Sequence, residues 1–506
     1  MNIETPDKTP PVRKGHSDLK TQIFSGTLAM GTATIGLRGI SIISSILLAR
    51  LLDPVSFGIV GTASIVLSTT NLFSGFGLGP ALVQTRADRG KAAYQSFVVT
   101  SMTGALLTLI ILLFSGTFAR LLGHPEVTPV LQWMSFLIFL GSLMIVPEAL
   151  LQKELLFGRI SKIVVVVELL HIGVALGLAY TGFGYWSLVW SSLAKSLATV
   201  TLYWIVSPRR EWLVRKPWDR GLMKSLLTFG IHSTGGGIIT YVYSIIDNLT
   251  VVRWLGTASL GLYGKAYDFT SRSVDSINNV LGTVLLPSYA RIQGETERLK
   301  RAYLKSARLI SFVTVPVSMG MAITAPEVVS TLLGEKWIPM IPAFQVLACV
   351  GLVKPLSAST SALFLSQGRP SYNVRAGLVV LFTMLPLFAL LLPAGIVGIA
   401  FAVLGAHIVG LAFNVYQMQS VLKGTALNMV TAPLPAIAAG LVMMGAVQLS
   451  KEPLRLAGGG GHGVATVIGL VIVGVAAYGI VLFLIQRPLV LEVKELIRAR
   501  FGGRST

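Results

Sequence analysis

Apolar runs of about twenty residues, the length an α-helix needs to cross the hydrocarbon of a bilayer, divide this chain from end to end. They fall near residues 22–50, 57–79, 92–115, 128–150, 159–180 and 183–207. After a basic stretch over 208–222, six more fall near 223–250, 258–290, 303–325, 340–366, 372–393 and 395–421. A last pair lies near 430–449 and 464–485, separated by Lys451, Arg455 and the glycines at 458–461. The pattern predicts an all-α polytopic membrane protein of about 14 transmembrane helices. Composition agrees: 53% of the 506 residues are hydrophobic and 12% charged, where soluble domains carry about 25% charged residues. Mean hydropathy is +0.74.

The formal charge of +20 raises the question of nucleic acid, but that partner needs basic residues gathered on one soluble face. Here they sit in short loops between apolar runs, which excludes nucleic acid and points to membrane topology. With the chain starting inside and alternating, the outer segments hold only Arg50, Arg120, Arg253, Lys336, Lys451 and Arg455 of the 41 Lys and Arg. The spans hold five, and the inner segments hold the rest, as the positive-inside rule requires. An even number of spans with both termini cytoplasmic follows. The first 21 residues are polar, hold Pro6, Pro10 and Pro11, and lack a short apolar core with a small-residue cleavage site, so no removable signal peptide is expected. The tail over 488–501 interleaves Leu489, Val493, Leu496 and Ile497 with Lys494, Arg498 and Arg500, a pattern that suits a helix lying on an anionic inner leaflet as well as a solvated tail. Cys349 is the only cysteine and lies in an apolar run. That excludes an internal disulfide and a cysteine-built metal site.

Shifting the chain against itself by 203 residues aligns 39–61 with 242–264, with Ser41/Ser244, Ile42/Ile245, Ile43/Ile246, Arg50/Arg253, Leu52/Leu255, Ser56/Ser259, Gly58/Gly261 and Gly61/Gly264 identical. Apolar bias supplies isoleucines but not an ordered Arg-x-Leu-x-x-x-Ser-x-Gly-x-x-Gly, so the chain reads as two related halves. Six helices per half make both copies enter the membrane from the same side. Transporters of that plan hold substrate between their halves near the midplane and expose it to each side in turn. The expected division is a tail over 1–21, a first lobe over 22–207, a basic linker over 208–222, a second lobe over 223–421, and an extra helix pair with a basic tail over 422–506.

Charges inside the spans are the candidate functional residues. Lys265, Asp268, Arg272 and Asp275 are spaced to share one helix face. A charge near the bilayer centre costs roughly 2.5–3.5 kcal/mol, so such a stripe faces inward. It either lines a polar passage or forms ion pairs along the helix. Arg38, Lys195 and Lys354 have no acid within four residues. With Lys265 and Arg272 they are the candidates for contact with an anionic head group, through charge-assisted bonds to phosphate. Glu168, Asp247, Asp268 and Asp275 are the candidates for a coupling proton or sodium ion. In the seventh span, Gly235, Gly236 and Gly237 read as a bend or as a close-packing face. Gly75-x-Gly-x-Gly79 is not a phosphate loop, since no βαβ unit surrounds it. His171, His232 and His407 lack ligand spacing and read as satisfied or packing residues. No catalytic triad, metal motif or large outer loop argues for an enzyme, and no cofactor is called for.

Four segments carry a family resemblance: Ala49-Arg-Leu-Leu-Asp-Pro-Val-Ser-Phe-Gly58, Gly184-Tyr-Trp-Ser-Leu-Val189, Asp247 with Gly256 and Leu260-Gly-Leu-Tyr263, and Gly334-Glu-Lys-Trp337. In order, over roughly residues 20–425, the chain resembles the bacterial polysaccharide flippases (Wzx-type) of the multidrug/oligosaccharidyl-lipid/polysaccharide exporter superfamily. The resemblance implies movement of an undecaprenyl-diphosphate-linked oligosaccharide from the inner to the outer leaflet of the bacterial inner membrane, for exopolysaccharide or O-antigen export. The implied partners are the lipid-linked oligosaccharide, membrane lipids, a coupling proton or sodium ion, and a polymerase with export machinery. Many relatives have twelve spans. The last pair is similar to the fourteen-span lipid II flippase branch, where the extra helices form a groove for the lipid tail. An ion-coupled multidrug antiporter and a lipid II flippase are the alternatives within the superfamily, although five basic groups in spans suit cationic drugs poorly. A membrane polysaccharide polymerase would need a catalytic outer loop, which the short loops do not offer.

Overall fold

The fold is given by a computed structural model that describes residues 36–37, 39–207, 211–422, 424, 426–457 and 463–487; positions 211, 233–240, 272–283, 426 and 457 are described by backbone alone. Arg38 and the tail over 488–501 lie outside the described residues, and so do the side chains of Arg272 and Asp275.

Every regular element among the described residues is helical. In order they are α1 (Gly39–Leu51), α2 (Pro54–Asn71), α3 (Leu78–Gln84), α4 (Arg89–Leu122), α5 (Thr128–Lys153), α6 (Phe157–Tyr180), α7 (Trp186–Val206) and a long run α8 (Arg220–Ala290). Then come α9 (Thr296–Val328), α10 (Ile341–Ser366), α11 (Pro370–Leu391), α12 (Gly395–Met418), α13 (Ala426–Thr431), α14 (Leu434–Ala457) and α15 (Val464–Ile485). Among the described residues, 8 helical segments are long and apolar enough to cross a membrane, so the chain is a multi-pass, all-α membrane protein. One of them, Pro370–Met418, contains both α11 and α12. Ser and Thr dilute α2 and α7 below that level of apolarity.

The aligned repeats break their helices at one register. In the first copy α1 stops before Asp53, whose Oδ1 accepts a bond from the Ser56 amide at 2.8 Å; it caps α2, with Pro54 at the position where a missing N–H costs nothing. In the second copy the equivalent residue is Gly256, with φ 91° and ψ 173° inside the α8 run, a conformation essentially reserved for glycine. The helix assignment continues through Gly235, Gly236 and Gly237, so the interruption of α8 falls at Gly256. The connections repeat too. α4 leads through Gly123 (φ 86°) and a 3-10 turn Pro125–Val127 into α5, and α9 leads through a π turn, Gly334 (φ 100°) and a 3-10 segment Glu335–Met340 into α10.

The described residues form two compact units, those within 36–51, 66–121 and 125–235 in one, and those within 52–65, 122–124 and 236–487 in the other. In the first unit, α3 packs on α5 through buried Leu78, Leu82, Val146 and Leu150. Lys153 Nζ donates to the carbonyls of Leu82 and Thr85 at 3.0 and 2.7 Å, satisfying the open end of α3. The basic stretch after α7 is not a free tether, because Trp212 is fully buried with its ring 4.8 Å from Phe97 and 5.0 Å from Trp204.

In the second unit, α10 packs on α9 and α12, and α11 on α12. The segments 54–61 and 257–264, equivalent in the repeat, cross within this unit backbone to backbone at Gly58 and Gly261. A β-carbon on Gly58 would collide with the Thr257 carbonyl, and one on Gly261 with the Pro54 carbonyl. Pro54 and Thr257 are themselves equivalent, so the contact is reciprocal, the mark of a local two-fold relation. α14 and α15 pack against α9 around Val315, Ala439, Met443 and Leu470. A buried ion pair fixes this packing: Lys451 Nζ lies 3.0 Å from Glu327 Oε1 and donates to the Ile323 carbonyl at 2.8 Å.

Candidate substrate chamber

Polar side chains on four helices of the second unit converge on one cavity of about 610 Å³. α8 contributes Ser244, Asp247 and Tyr267, α10 Lys354, Ser357 and Ser361, α11 Asn373, and α12 His407 and Asn414. Apolar positions such as Val380, Met384 and Val403 complete the wall. α10, α11 and α12 lie in segments apolar enough to cross a membrane, so a polar lining there has to face inward.

The charged members are already engaged. Asp247, 3% exposed, accepts from the Tyr263 hydroxyl at 2.8 Å through Oδ2, and from the backbone and side-chain amides of Asn248 at 2.8 and 3.2 Å through Oδ1. Three donors on one carboxylate satisfy a group that would be costly to bury bare. Lys354 Nζ donates to the Tyr267 hydroxyl at 2.8 Å and stands 5.1 Å from the centre of that ring.

The neutral members are mostly open. His407 Nδ1 lies 2.8 Å from the Val403 carbonyl; a carbonyl only accepts, so Nδ1 carries the proton and Nε2 is the ring's open atom. The amide of Asn414 and the hydroxyls of Ser357 and Ser361 have no protein partner among the described residues. Asn373 donates to the Ser361 carbonyl at 3.4 Å.

Of the residues singled out from sequence, Asp247 and Lys354 meet in this chamber. Lys195 and Glu168 do not: they lie in the first unit and pair with each other at 2.6 Å, with side-chain exposures of 40% and 18%. Lys195 thus has an acid partner after all, one that lies on the preceding helix. Lys265 is buried, with Nζ 3.9 Å above the Phe57 ring, which meets Trp337 edge-on at 5.5 Å. It is not in the chamber lining. Asp268 is half-buried on the same run. Sequence reasoning passed over the neutral lining and read His407 as a satisfied or packing residue, which its Nδ1 bond to Val403 fits while Nε2 faces the cavity. The available signal was spacing, since Ser357 and Ser361 are four apart, and His407 and Asn414 seven apart, on single helix faces.

A second cavity of about 670 Å³ in the same unit is apolar, lined by α9, α14 and α15, among them Pro316, Met321, Val447, Val471, Val475 and Leu482. Tyr478 closes one side by donating to the Phe312 carbonyl at 3.1 Å.

Proteins with similar sequences include several from bacteria. The chain is 23% identical over 414 residues to the lipopolysaccharide biosynthesis protein WzxC of Escherichia coli (strain K12), covering 79% of this chain and 81% of that protein. It is 23% identical over 348 residues to the teichuronic acid biosynthesis protein TuaB of Bacillus subtilis (strain 168), covering 69% and 72%. In fold it is similar to the lipid II flippase MurJ in an inward closed conformation, with TM-score 0.74, 12% identity and coverage of 92% of this chain and 100% of that one. It is also similar to an inward-facing multidrug resistance MATE family transporter of the MOP superfamily, with TM-score 0.59, 18% identity and coverage of 76% and 95%. The polysaccharide biosynthesis protein family model matches residues 47–342. That match takes in the first aligned repeat from residue 47 on, the whole of the second and the Gly334–Trp337 motif, and with more than half of the chain inside it, this protein belongs to the polysaccharide biosynthesis family.

Proposed function

We propose that this protein is a flippase that moves an undecaprenyl-diphosphate-linked oligosaccharide from the inner to the outer leaflet of the bacterial inner membrane, for exopolysaccharide or O-antigen export. The observation that carries the reading is the polar chamber around Asp247 and Lys354, walled in part by α10, α11 and α12, which lie in segments apolar enough to cross a membrane. In this reading 14 spans, with both termini cytoplasmic, form two six-helix lobes over 22–207 and 223–421. The tail over 1–21, the linker over 208–222 and the helix pair with its tail over 422–506 complete the chain, and the lobes expose the substrate to each side in turn. Lys354 meets the substrate, Asp247 serves the coupling ion, and Lys195 with Glu168 holds two helices together. The apolar cavity beside α14 and α15 takes the polyprenyl chain, as the resemblance to the fourteen-span branch implies.

The test is reconstitution. Purified protein in liposomes is given a lipid-linked oligosaccharide extracted from the source bacterium, and its exposure on the far leaflet is followed with a membrane-impermeant glycosidase. The reading expects a rate well above protein-free vesicles. An unchanged rate rejects it, and export of cationic dyes by the same vesicles would move the protein to the drug-antiporter class.

A further inference from the structure

We infer that the chamber between α8, α10, α11 and α12 binds the uncharged glycan of the substrate and not its diphosphate. The inference rests on the flippase reading and assigns one part of that substrate to one cavity.

The charge inventory comes first. Lys354 is the one Lys or Arg among the lining residues and already donates to the Tyr267 hydroxyl, so whether Asp247 is ionised or carries the coupling ion, the lining offers at most one positive charge to a group bearing two or more negative ones. The Asp247 carboxylate would repel such a group, and three donors already hold it. A diphosphate here would stay under-neutralised in a medium where each unpaired charge is costly.

The unused hydrogen-bonding capacity comes second, and it is neutral. The Asn414 amide, 7% exposed, and His407, 9% exposed with Nε2 open, face the same space as the hydroxyls of Ser357 and Ser361. Amides and hydroxyls both donate and accept, and neutral imidazole Nε2 accepts. A sugar hydroxyl offers a donor and two acceptor positions, so it matches every one of these groups. Buried polar groups without partners are rare in folded proteins and call for one. The Tyr267 ring in the same wall adds the flat apolar surface against which a pyranose C–H face packs. A cavity of about 610 Å³ is in the ordinary range for small-molecule sites.

A site built to bond a substrate hydroxyl rejects ligands that lack it far more strongly than an apolar pocket rejects a wrong shape. The chamber is therefore a specificity element: it admits a lipid that carries its sugar and leaves the bare carrier unrewarded.

The full chain in nanodiscs is titrated with two probes, undecaprenyl diphosphate and undecaprenyl diphosphate bearing a neutral trisaccharide. Wild type should bind the glycosylated probe at least tenfold tighter than the bare one. Asn414→Leu should erase most of that advantage while the bare probe still binds, a split that simple structural collapse would not give. If Asn414→Leu fails to fold, the Ser357→Ala/Ser361→Ala double variant, which removes only two hydroxyls, carries the same readout. Equal losses for both probes would place the diphosphate in the chamber and overturn the inference, as would an advantage that survives both variants or a wild type without one. The transport reading fails separately, if wild type binds the glycosylated lipid but does not carry it across vesicles.

Discussion

Gly58 and Gly261, equivalent positions of an internal repeat, press against each other's segment through bare backbone, each facing the carbonyl four residues before the other. The reciprocity makes a quantitative expectation possible. Gly58→Val and Gly261→Val should each cost about 1–3 kcal/mol, the range of overpacked sites, and by similar amounts. Gly61→Ala should be nearly silent, since its β-carbon would meet only the Leu260 side chain, at 3.4 Å. Thermal unfolding in detergent, followed by fluorescence-detected chromatography, reads all three; a large difference between the two valine variants would refute the symmetry.

The Glu327–Lys451 pair makes a different kind of demand. Its side chains are 6% and 13% exposed, so removing one partner strands a buried charge. Glu327→Ala should destabilise by about 3–5 kcal/mol, while Glu327→Met with Lys451→Met should come close to wild type. Equal losses in the single and double variants would mean that the pair does not bind α14 to α9.

For Trp212 the expectation concerns the linker. Trp212→Ala empties a fully buried site between Phe97 and Trp204 and should cost about 3–5 kcal/mol. Trp218, 50% exposed, should tolerate the same change with little loss. Limited tryptic proteolysis after Arg215 should accelerate in the Trp212 variant, and unchanged cleavage would show that the linker is held by other contacts.

Acid should loosen the start of α2. Burial pushes the Asp53 carboxyl upward, but the bonds from Ser56 and the charge of Lys336 outweigh it and hold the carboxyl below its usual range. A depressed carboxylate contributes stability that is full above its unfolded value near 3.9 and fades as pH falls through the lower folded one. Asp53→Ala should cost about 0.5–2 kcal/mol at neutral pH and Asp53→Asn much less, because Asn also caps well. The gap between wild type and Asp53→Ala should stay flat from pH 7 to 5 and narrow below about pH 4; a gap that widens with acid would contradict the cap.

How much of this was legible beforehand follows from where each partner lies. Local information sufficed for the helices and for the repeat, because apolar runs and the Arg-x-Leu-x-x-x-Ser-x-Gly-x-x-Gly order are properties of contiguous chain. Contacts across helices were not local. Lys195 has no acid within four residues, yet Glu168 lies 27 residues back and meets it. Lys354 finds Tyr267, 87 residues away, and Lys265 lies over Phe57. A search for charges also passed over Asn414, Ser357 and Ser361, since a neutral polar residue in an apolar run looks like ordinary helix packing until three other helices place its face on a cavity.

The helix stop at Asp53 and Gly256 carries an evolutionary consequence. In the first copy a side chain enforces the stop, so the position can drift among capping residues, and even glycine would cost only a few tenths of a kcal/mol. In the second copy the dihedral itself enforces it, at φ 91°, and any β-carbon there would have to tolerate about 1–3 kcal/mol of strain. Exchange between the copies is therefore one-way: glycine can travel back to the first, while the capping solution cannot be handed to the second.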